Sequence, residues 1–287
     1  MGNFALLQAL EMELSGGVNF LTFHPDKKRA HTEPDTVKQF NYYPMGIGIF
    51  RIQGDINETM GFEVNIERDN VLQNSIKTIF SAKTDYFMLE FGPFVGITDD
   101  LNTPDAGIIG SLAVALPGII SLSISGFSTL GTQFEFTSSN FREGFALELQ
   151  FWLPKMILTA SAGIKNLSRS SEDIAGILLR SDALTRYMLS IDFYSKGSPI
   201  MTTLEGGYQT YSRTYKRGVG SWEYIDKLQS FFGGLGFQLQ AFDSMKLKAG
   251  IEIPFLITAE EPMTVTPEFL NLSKFIAGFI YTFNGRP

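Results

Sequence analysis

Hydrophobic and polar residues alternate along most of the chain, and this alternation limits the possible folds more than any other feature. Residues 58–68 show the pattern clearly. Their apolar positions are Met60, Phe62, Val64 and Ile66, and the positions between them are Gly61, Glu63, Asn65 and Glu67. A strand places successive side chains on opposite faces, whereas a helix would mix the two sets. The same period recurs at 10–20, 145–153 and 245–255, so the sequence predicts an all-β fold.

The alternating segments number about fourteen. They are predicted at 8–22, 44–54, 58–67, 71–82, 85–97, 106–116, 118–128, 143–153, 155–167, 184–195, 199–213, 225–241, 244–257 and 272–284. One link on the side of the long loops, at 67–71, is short. The alternative is that 58–67 and 71–82 form a single bent strand, which would lower the number of strands.

The links between these strands alternate between short and long. Short links fall near residues 54–57, 82–84, 117–118, 154–155, 196–199 and 242–244, and long polar links fall at 23–43, 98–105, 129–142, 168–183, 214–224 and 258–271. Short turns on one rim and long loops on the other are typical of a transmembrane antiparallel up-and-down β-barrel. In the link 168–183, Ile174, Ile177 and Leu178 have helical spacing, so a short helix that folds into the barrel mouth and a solvent-facing loop are the two alternatives there.

The composition agrees with a barrel that faces lipid. Hydrophobic residues make up 44% of the chain and charged residues only 18%, whereas soluble domains contain about 25% charged residues. No linker divides the sequence, so we expect one barrel domain over residues 1–287. A water-soluble β-sandwich is the alternative fold.

One segment suggests a transmembrane helix instead. Residues 106–134 contain no charged side chain, and 108–124 is largely apolar, which is about the length that a spanning helix needs. However, the turn dipeptide Pro117-Gly118 lies in the middle, and Ser121, Ser123 and Ser125 alternate with apolar residues after it. The segment is therefore predicted to be a hairpin of two strands.

Several function classes are excluded or disfavoured by composition. The absence of cysteine excludes disulfides and thiol nucleophiles, and a net charge of −7 argues against nucleic acid as a partner. Only two histidines occur, His24 and His31, both at or in the first long link. Since no spacing singles out a catalytic constellation or a metal site, we expect no enzymatic activity, no cofactor and no metal.

Alternation assigns each side chain to one of two faces. The lipid-facing candidates are Phe62, Phe87, Phe91, Phe151, Phe237, Phe279, Tyr281 and Phe283. The lumen-lining candidates are Glu11, Glu13, Glu63, Glu67, Lys77, Glu90, Glu148, Lys165, Arg186, Asp192, Glu205, Arg213, Lys246, Lys248 and Glu252. Bulky residues predicted to face the interior are Trp152, Ile157, Phe232 and Ile280, and interfacial girdle candidates are Phe20, Phe23, Tyr187, Phe193, Tyr208 and the neighbourhood of Tyr211.

The last predicted strand adds a family resemblance. Residues Lys274 to Phe283, with Phe275, Phe279, Tyr281 and Phe283 in alternation, resemble the terminal aromatic signal that the barrel-assembly machinery of bacterial outer membranes reads. The chain departs from that pattern in the four residues that follow Phe283. The runs 67–70 and 91–96 resemble segments of spirochaetal outer-membrane barrels, and the length per strand is similar to that of small monomeric porins.

The resemblance implies a bacterial outer-membrane protein, inserted by the assembly machinery into lipid, with both termini on the periplasmic side and a monomer favoured. Its expected function is passive diffusion of small hydrophilic solutes through a charged, water-filled lumen, with weak cation preference at most because both signs of charge occur. Two alternatives remain open. One is a transporter for an apolar solute of the fatty-acid type, although residues 1–7 are too few for such a family's hatch. The other is a surface adhesin that presents its loops on a closed barrel, with lumen charges paired across the interior.

Overall fold

Fourteen antiparallel strands close into one barrel in the structure, which is a computed structural model. It describes residues 9–19, 38–39, 45–98, 104–130, 138–173, 176–194, 198–217, 222–259, 263–264 and 273–284. The first barrel strands are β1 (Ala9–Asn19), β3 (Met45–Asp55), β4 (Met60–Asp69), β5 (Gln73–Lys83), β6 (Phe87–Ile97), β7 (Asp105–Leu116) and β8 (Ile120–Thr129). The others are β9 (Ser138–Leu153), β10 (Met156–Asp173), β11 (Gly176–Phe193), β12 (Ile200–Arg217), β13 (Trp222–Phe242), β14 (Met245–Ala259) and β16 (Lys274–Asn284). The short strands β2 (Lys38–Gln39) and β15 (Met263–Thr264) form a separate parallel pair.

The barrel closes between the first and last barrel strands. β1 pairs with β16 from Ala9–Asn284 to Asn19–Lys274, and it pairs with β3 on its other side. Every barrel strand therefore has two hydrogen-bonded neighbours. Hydrocarbon supplies no partner for an open sheet edge, so closure is what membrane insertion requires. The predicted architecture and its count of fourteen strands are confirmed.

The two ends of the barrel differ, and we name them the turn rim and the loop rim. The turn rim carries the short links 56–59, 84–86, 117–119, 154–155, 194–199 and 243–244. The loop rim is the opposite end, where β1 finishes and β3 begins. The register of β1 against β16 puts Ala9 and Asn284 at the turn rim.

The outer face of the sheet is a belt of exposed apolar side chains. Leu189 is 68% exposed, Phe91 58% and Val114 53%, and apolar residues occupy the outward positions of strands all around the barrel. Water would penalise such a surface by about 25 cal/mol for each Å² of apolar area. The belt identifies the barrel as a transmembrane one. Strands β3 to β8 have 10 to 12 residues, close to the 9 to 11 or so that a tilted spanning strand needs.

The lipid-facing belt predicts a depth-dependent cost for introduced charge. Phe91→Arg, in the middle of β6, is expected to destabilise the barrel by about 2–4 kcal/mol, because arginine at the bilayer midplane loses its hydration. Leu153→Arg, beside the turn 154–155, should cost about 0–1 kcal/mol because its guanidinium reaches the interface. Urea unfolding in lipid vesicles measures both variants, and equal costs would contradict the assignment of the belt.

The hairpin prediction for residues 106–128 holds. β7 and β8 pair from Gly107–Thr129 to Leu116–Ile120, and their turn contains Gly118 at φ 71°. Among the described residues, no helix is long and apolar enough to cross a membrane. The link near residue 70 also joins two separate strands, so the bent-strand alternative is wrong. However, β5 starts at Gln73 rather than at Val71.

Three predicted long links are shorter than expected, because strands extend into them. Residues 168–173 and 176–183 belong to β10 and β11, which pair as far as Asp173–Gly176, so the short helix is absent from these residues. Residues 214–217 and 222–224 likewise extend β12 and β13, and residues 138–142 belong to β9. In each case backbone pairing between long neighbouring strands outweighs a polar, loop-like composition.

These extensions form a raised wall on one side of the barrel. β10 has 18 residues and β5 has 11, so β10 runs roughly 23 Å further at about 3.3 Å per residue. Beyond Ile164 the outward positions of β10 are polar, and Ser181 Oγ of β11 donates to Asn166 Oδ1 at 2.6 Å. The polar outer positions of β10 indicate that this strand rises above the apolar belt.

Candidate functional site: the lumen of the barrel

Contacts between strands that are not neighbours identify the inner face, because only the interior connects them. Lys165 Nζ on β10 lies 2.7 Å from Asp69 Oδ2 on β4. Arg186 on β11 donates to both carboxylate oxygens of Glu252 on β14, at 2.8 and 3.2 Å. These pairs fix which of the two alternating faces points inward.

All fifteen charged lumen candidates have inward parity on this face. They are Glu11, Glu13, Glu63, Glu67, Lys77, Glu90, Glu148, Lys165, Arg186, Asp192, Glu205, Arg213, Lys246, Lys248 and Glu252. The eight lipid-facing candidates Phe62, Phe87, Phe91, Phe151, Phe237, Phe279, Tyr281 and Phe283 have the opposite parity. Of the bulky interior candidates, Phe232 is 1% exposed.

Glycines on the inner face leave room for large side chains. A Cβ at Gly207 would lie 2.8 Å from the Phe232 ring, and one at Gly144 would collide with the ring of Phe127. The aromatic rings lie against the wall above the glycines, which keeps them from filling the lumen.

A short turn between β4 and β5 enters the lumen at the loop rim. We name residues 69–73 the lumen turn. Asp69 Oδ1 accepts hydrogen bonds from the backbone N–H groups of Val71 and Leu72 at 2.7 and 3.0 Å, so its side chain shapes the turn. Gln73 completes it at φ 61°, a left-handed conformation that costs a non-glycine residue about 1–2 kcal/mol. The tip residues Val71 and Leu72 thereby point into the barrel.

The tip of the lumen turn packs against the far wall. Val71 and Leu72 are 1% and 3% exposed, and they form one buried cluster with Leu167 of β10 and Tyr211 of β12. Phe127 and Leu184 pack against the cluster from β8 and β11. Since β4 and β12 lie on opposite sides of the barrel, this cluster bridges the lumen with apolar side chains.

Two polar contacts hold the lumen turn in place. One is the ion pair of Asp69 with Lys165. The other is a hydrogen bond from Arg142 Nε on β9 to the Leu72 carbonyl oxygen at 2.9 Å. Arg142 is 1% exposed and also forms an ion pair with Asp105 of β7. The turn is therefore tied to the raised wall on both sides of its tip.

A cavity of about 590 Å³ lies on the side of the lumen turn that faces the turn rim, which we call its inner side. We name this cavity the chamber. Its charged lining residues are Asp69, Lys77, Glu148, Lys165, Arg186, Glu205, Glu252 and Lys274. Apolar groups of Phe127, Leu184, Met188 and Tyr211 also line it. The chamber is thus both charged and partly apolar.

Two further cavities lie nearer the turn rim. One of about 290 Å³ shares Glu205, Glu252 and Lys274 with the chamber. The other, of about 320 Å³, lies between β1, β3, β4, β5, β6 and β16, and we name it the vestibule. Its charged lining residues are Glu11, Asp55, Glu63, Lys83 and Glu90. Lys77 lines the chamber and Ile79 lines the vestibule, so the two adjoin along β5.

Ion pairs neutralise most of the basic side chains on this part of the inner face. Seven of the eight, counted among described residues, lie within ion-pair distance of a carboxylate: Arg51, Lys77, Lys83, Lys165, Arg186, Lys248 and Lys274. Their acidic partners are Glu13, Asp55, Glu67, Asp69 and Glu252. The eighth basic side chain is Lys246.

Six carboxylates on the same surface have no ion-pair partner within the described ranges. They are Glu11, Glu63, Glu90, Glu148, Asp192 and Glu205. Four of these accept hydrogen bonds from the neutral side chains of Gln53, Ser111, Gln150 and Thr203. Because two of the paired carboxylates, Glu13 and Glu252, each serve two basic side chains, the described surface on the inner side of the lumen turn holds eleven carboxylates and eight basic side chains, an acidic excess of three.

Arg213 lies above the lumen turn rather than beside these groups. Its guanidinium donates to Asp182 at 2.5 and 3.2 Å, and Arg180 Nη2 donates to the same carboxylate at 2.9 Å. This pairing lies on the raised wall.

Several residues of the site were not predicted from the sequence. Val71 and Leu72 look like the first residues of a strand, because they precede an alternating segment. The girdle predicted in the neighbourhood of Tyr211 does not include Tyr211 itself, which faces the interior and is 2% exposed. Tyr187 and Phe193 are exposed on the outer face as predicted. The signal available in the sequence was the Asp69-Asn70 pair, which favours a turn.

Other predicted positions carry no structural description. His24, His31, Phe20 and Phe23 lie outside the described residues. In the part of the chain that is described, no group of three or more histidine, cysteine, aspartate or glutamate residues is arranged to hold a metal ion.

Comparisons with known proteins return outer-membrane barrels among solved structures. The loop L8 deletion mutant of OmpT, an outer membrane protein of Vibrio cholerae, is 10% identical, with a TM-score of 0.42 over 96% of this chain and 100% of its own. An anion-selective porin from Comamonas acidovorans is 9% identical (TM-score 0.40, 96% and 98% covered). An outer membrane channel from Pseudomonas putida F1 is 7% identical (TM-score 0.42, 99% of both chains). No family model and no curated sequence matches the chain.

Proposed function

We propose that this chain is a bacterial outer-membrane channel that lets small hydrophilic solutes diffuse through its lumen and prefers cations. The observation that carries the proposal is the charge balance of the inner face. Among the described residues on the inner side of the lumen turn, eleven carboxylates and eight basic side chains face the lumen, and six of those carboxylates lack an ion-pair partner. Charged side chains along a pore set the sign of the ion that it passes.

The lumen turn narrows the lumen of the proposed channel. Val71 and Leu72 bridge the interior at the loop rim, and the ion pairs of Lys165 and Arg186 cross it lower down. An apolar constriction disfavours water and ions even where its radius would admit them. Solutes therefore pass when the turn leaves its place on the far wall.

The charged lining argues against a transporter for apolar solutes. Such a protein needs an apolar pocket that its solute can enter. The apolar cluster leaves no such pocket, because its four side chains pack against one another and are at most 3% exposed: Val71, Leu72, Leu167 and Tyr211. The adhesin hypothesis concerns the long loops, which lie largely outside the described residues.

The remaining expectations stay proposals. We propose a monomer in outer-membrane lipid, inserted by the barrel-assembly machinery through the aromatic positions of β16, where Tyr281 and Phe283 stack edge to face with centroids 4.6 Å apart. We assign the chain no catalytic activity, cofactor or nucleic-acid partner. The resemblance of residues 67–70 and 91–96 to spirochaetal barrels also stays a prediction.

Reversal potentials test the proposed selectivity. In a planar bilayer with a KCl gradient, the wild-type channel should give a reversal potential of the sign for K⁺ preference. Glu63→Gln combined with Glu90→Gln should move that potential toward zero, because two uncompensated vestibule charges are removed. Lys246→Gln, the control of opposite sign, should move it further toward K⁺. A reversal potential of the sign for Cl⁻ preference in the wild type would overturn the cation preference.

A further inference from the structure

We propose that the chamber is a binding site for small organic cations, compounds with one or two ammonium or guanidinium groups on an apolar carbon skeleton. This inference rests on the proposed function, because such a solute reaches the chamber through the lumen. It goes further in naming a class of solute and two residues that bind it, Glu148 and Glu205.

The first argument is that the chamber's cations are already engaged while two of its carboxylates are not. Lys165 pairs with Asp69, and Arg186 and Lys274 both contact Glu252 at 2.8 and 3.9 Å. Lys77 pairs with Glu67 at 2.5 Å. An anionic solute would have to displace one of these pairs, whereas a cation meets two carboxylates that form no ion pair within the described ranges.

The second argument is the environment of those two carboxylates. Glu148 accepts one hydrogen bond, from Gln150 Nε2 at 2.8 Å, and none reaches Glu205 from any side chain in the described ranges. Glu205 lies close over Gly234, where a Cβ would be 2.4 Å from its Oε1. A half-buried carboxylate that forms no ion pair gains a charge-assisted hydrogen bond when an ammonium group arrives.

The third argument is that the chamber favours an organic cation over a hydrated metal ion. Phe127, Leu184, Met188 and Tyr211 present apolar groups to the same space. A methylene chain gains free energy by leaving water for such a lining, and aromatic faces attract cations. Arg186 already illustrates the second effect, because its guanidinium carbon lies 3.9 Å from the centre of the Phe232 ring.

The two carboxylates project from β9 and β12, which are three strands apart. At about 4.8 Å between strands, this is roughly 14 Å along the wall. Their side chains converge toward the interior, so a flexible diamine suits the pair better than a single compact ion.

The test uses hexane-1,6-diammonium as the probe on the refolded full chain. Isothermal titration in detergent should give saturable binding to the wild type. Glu148→Gln and Glu205→Gln should each weaken it about tenfold, because each removes one charge-assisted hydrogen bond. Glu58→Gln in the exposed turn 56–59 is the matched control and should bind like the wild type. Neutral hexane-1,6-diol should not bind detectably.

A second readout separates this inference from the proposed function. In planar bilayers the diamine should reduce the KCl current of the wild type, and the two chamber variants should need about ten times more of it. Conductance with cation preference but no diamine binding would overturn the chamber site and leave the channel intact. Saturable binding without conductance would support the site and count against the channel. Equal weakening by Glu58→Gln would show surface binding and would also overturn the site.

Discussion

The double substitution Val71→Ser, Leu72→Ser should open the barrel, with an increase of at least about tenfold in the fraction of time that the channel conducts. Both side chains are nearly fully buried against the far wall. Burying a valine or leucine side chain contributes about 1.5–3 kcal/mol. Their loss removes most of the free energy that holds the tip across the lumen. A change of about 1.4 kcal/mol alters an equilibrium tenfold, so even a small part of this loss is measurable.

The serine variant leaves the turn itself intact. Asp69 still accepts the two backbone hydrogen bonds that shape the turn, and the ion pair with Lys165 remains. The substitution therefore weakens the packing of the lumen turn without removing its local structure. Ile119→Ser is the matched control, because Ile119 is an apolar turn residue that is 62% exposed at the turn rim.

Single-channel recording in planar bilayers measures the effect. Wild type and Ile119→Ser should show the same low activity, and the double variant should show frequent openings of larger conductance. Identical traces for all three proteins would mean that the lumen turn does not limit conduction. Silence of the double variant, with proper folding shown by heat-modifiable migration on a gel, would count against the channel itself.

The strand count was predictable because it depends on a local pattern. A period of two and a regular succession of short and long links give fourteen strands. The register of each strand is also well defined, because a slip of one residue would turn its whole apolar face toward the lumen. The same alternation places Phe91 and Leu189 on the outer face, where they are exposed in the structure and would contact lipid in a membrane. Alternation therefore also assigned Glu148 and Glu205 to the inner face.

The site depends on contacts that no local pattern encodes. Asp69 and Lys165 are 96 positions apart, and Arg142 and Leu72 are 70 apart. Their meeting depends on barrel closure and on a turn that points inward. The sequence does not reveal the extension of β10 and β11 for a related reason. Polar residues such as Ser168 and Ser181 look like a loop, but a strand whose outer face meets water has the same composition.

Arg142→Leu is expected to destabilise the barrel by about 3–5 kcal/mol, the cost of leaving one member of a buried ion pair without its partner. The Asp105 side chain is 2% exposed, and when the guanidinium is removed its one remaining hydrogen bond among the described residues comes from Thr129 Oγ1, at 3.0 Å. The Leu72 carbonyl oxygen loses its donor in the same substitution. The lumen turn should therefore loosen while the barrel as a whole becomes less stable.

A double variant separates the buried charge from the rest of the effect. Arg142→Leu with Asp105→Leu should recover most of the lost stability, because replacing both members of a buried pair by apolar groups is often neutral. Glu143→Gln, on the neighbouring exposed position of β9, should change the free energy of unfolding by less than about 0.5 kcal/mol. Urea unfolding in lipid vesicles, followed by tryptophan fluorescence, measures all three variants. If the double variant is as unstable as Arg142→Leu, the stability comes from the hydrogen bond to the lumen turn, and the ion pair with Asp105 contributes little.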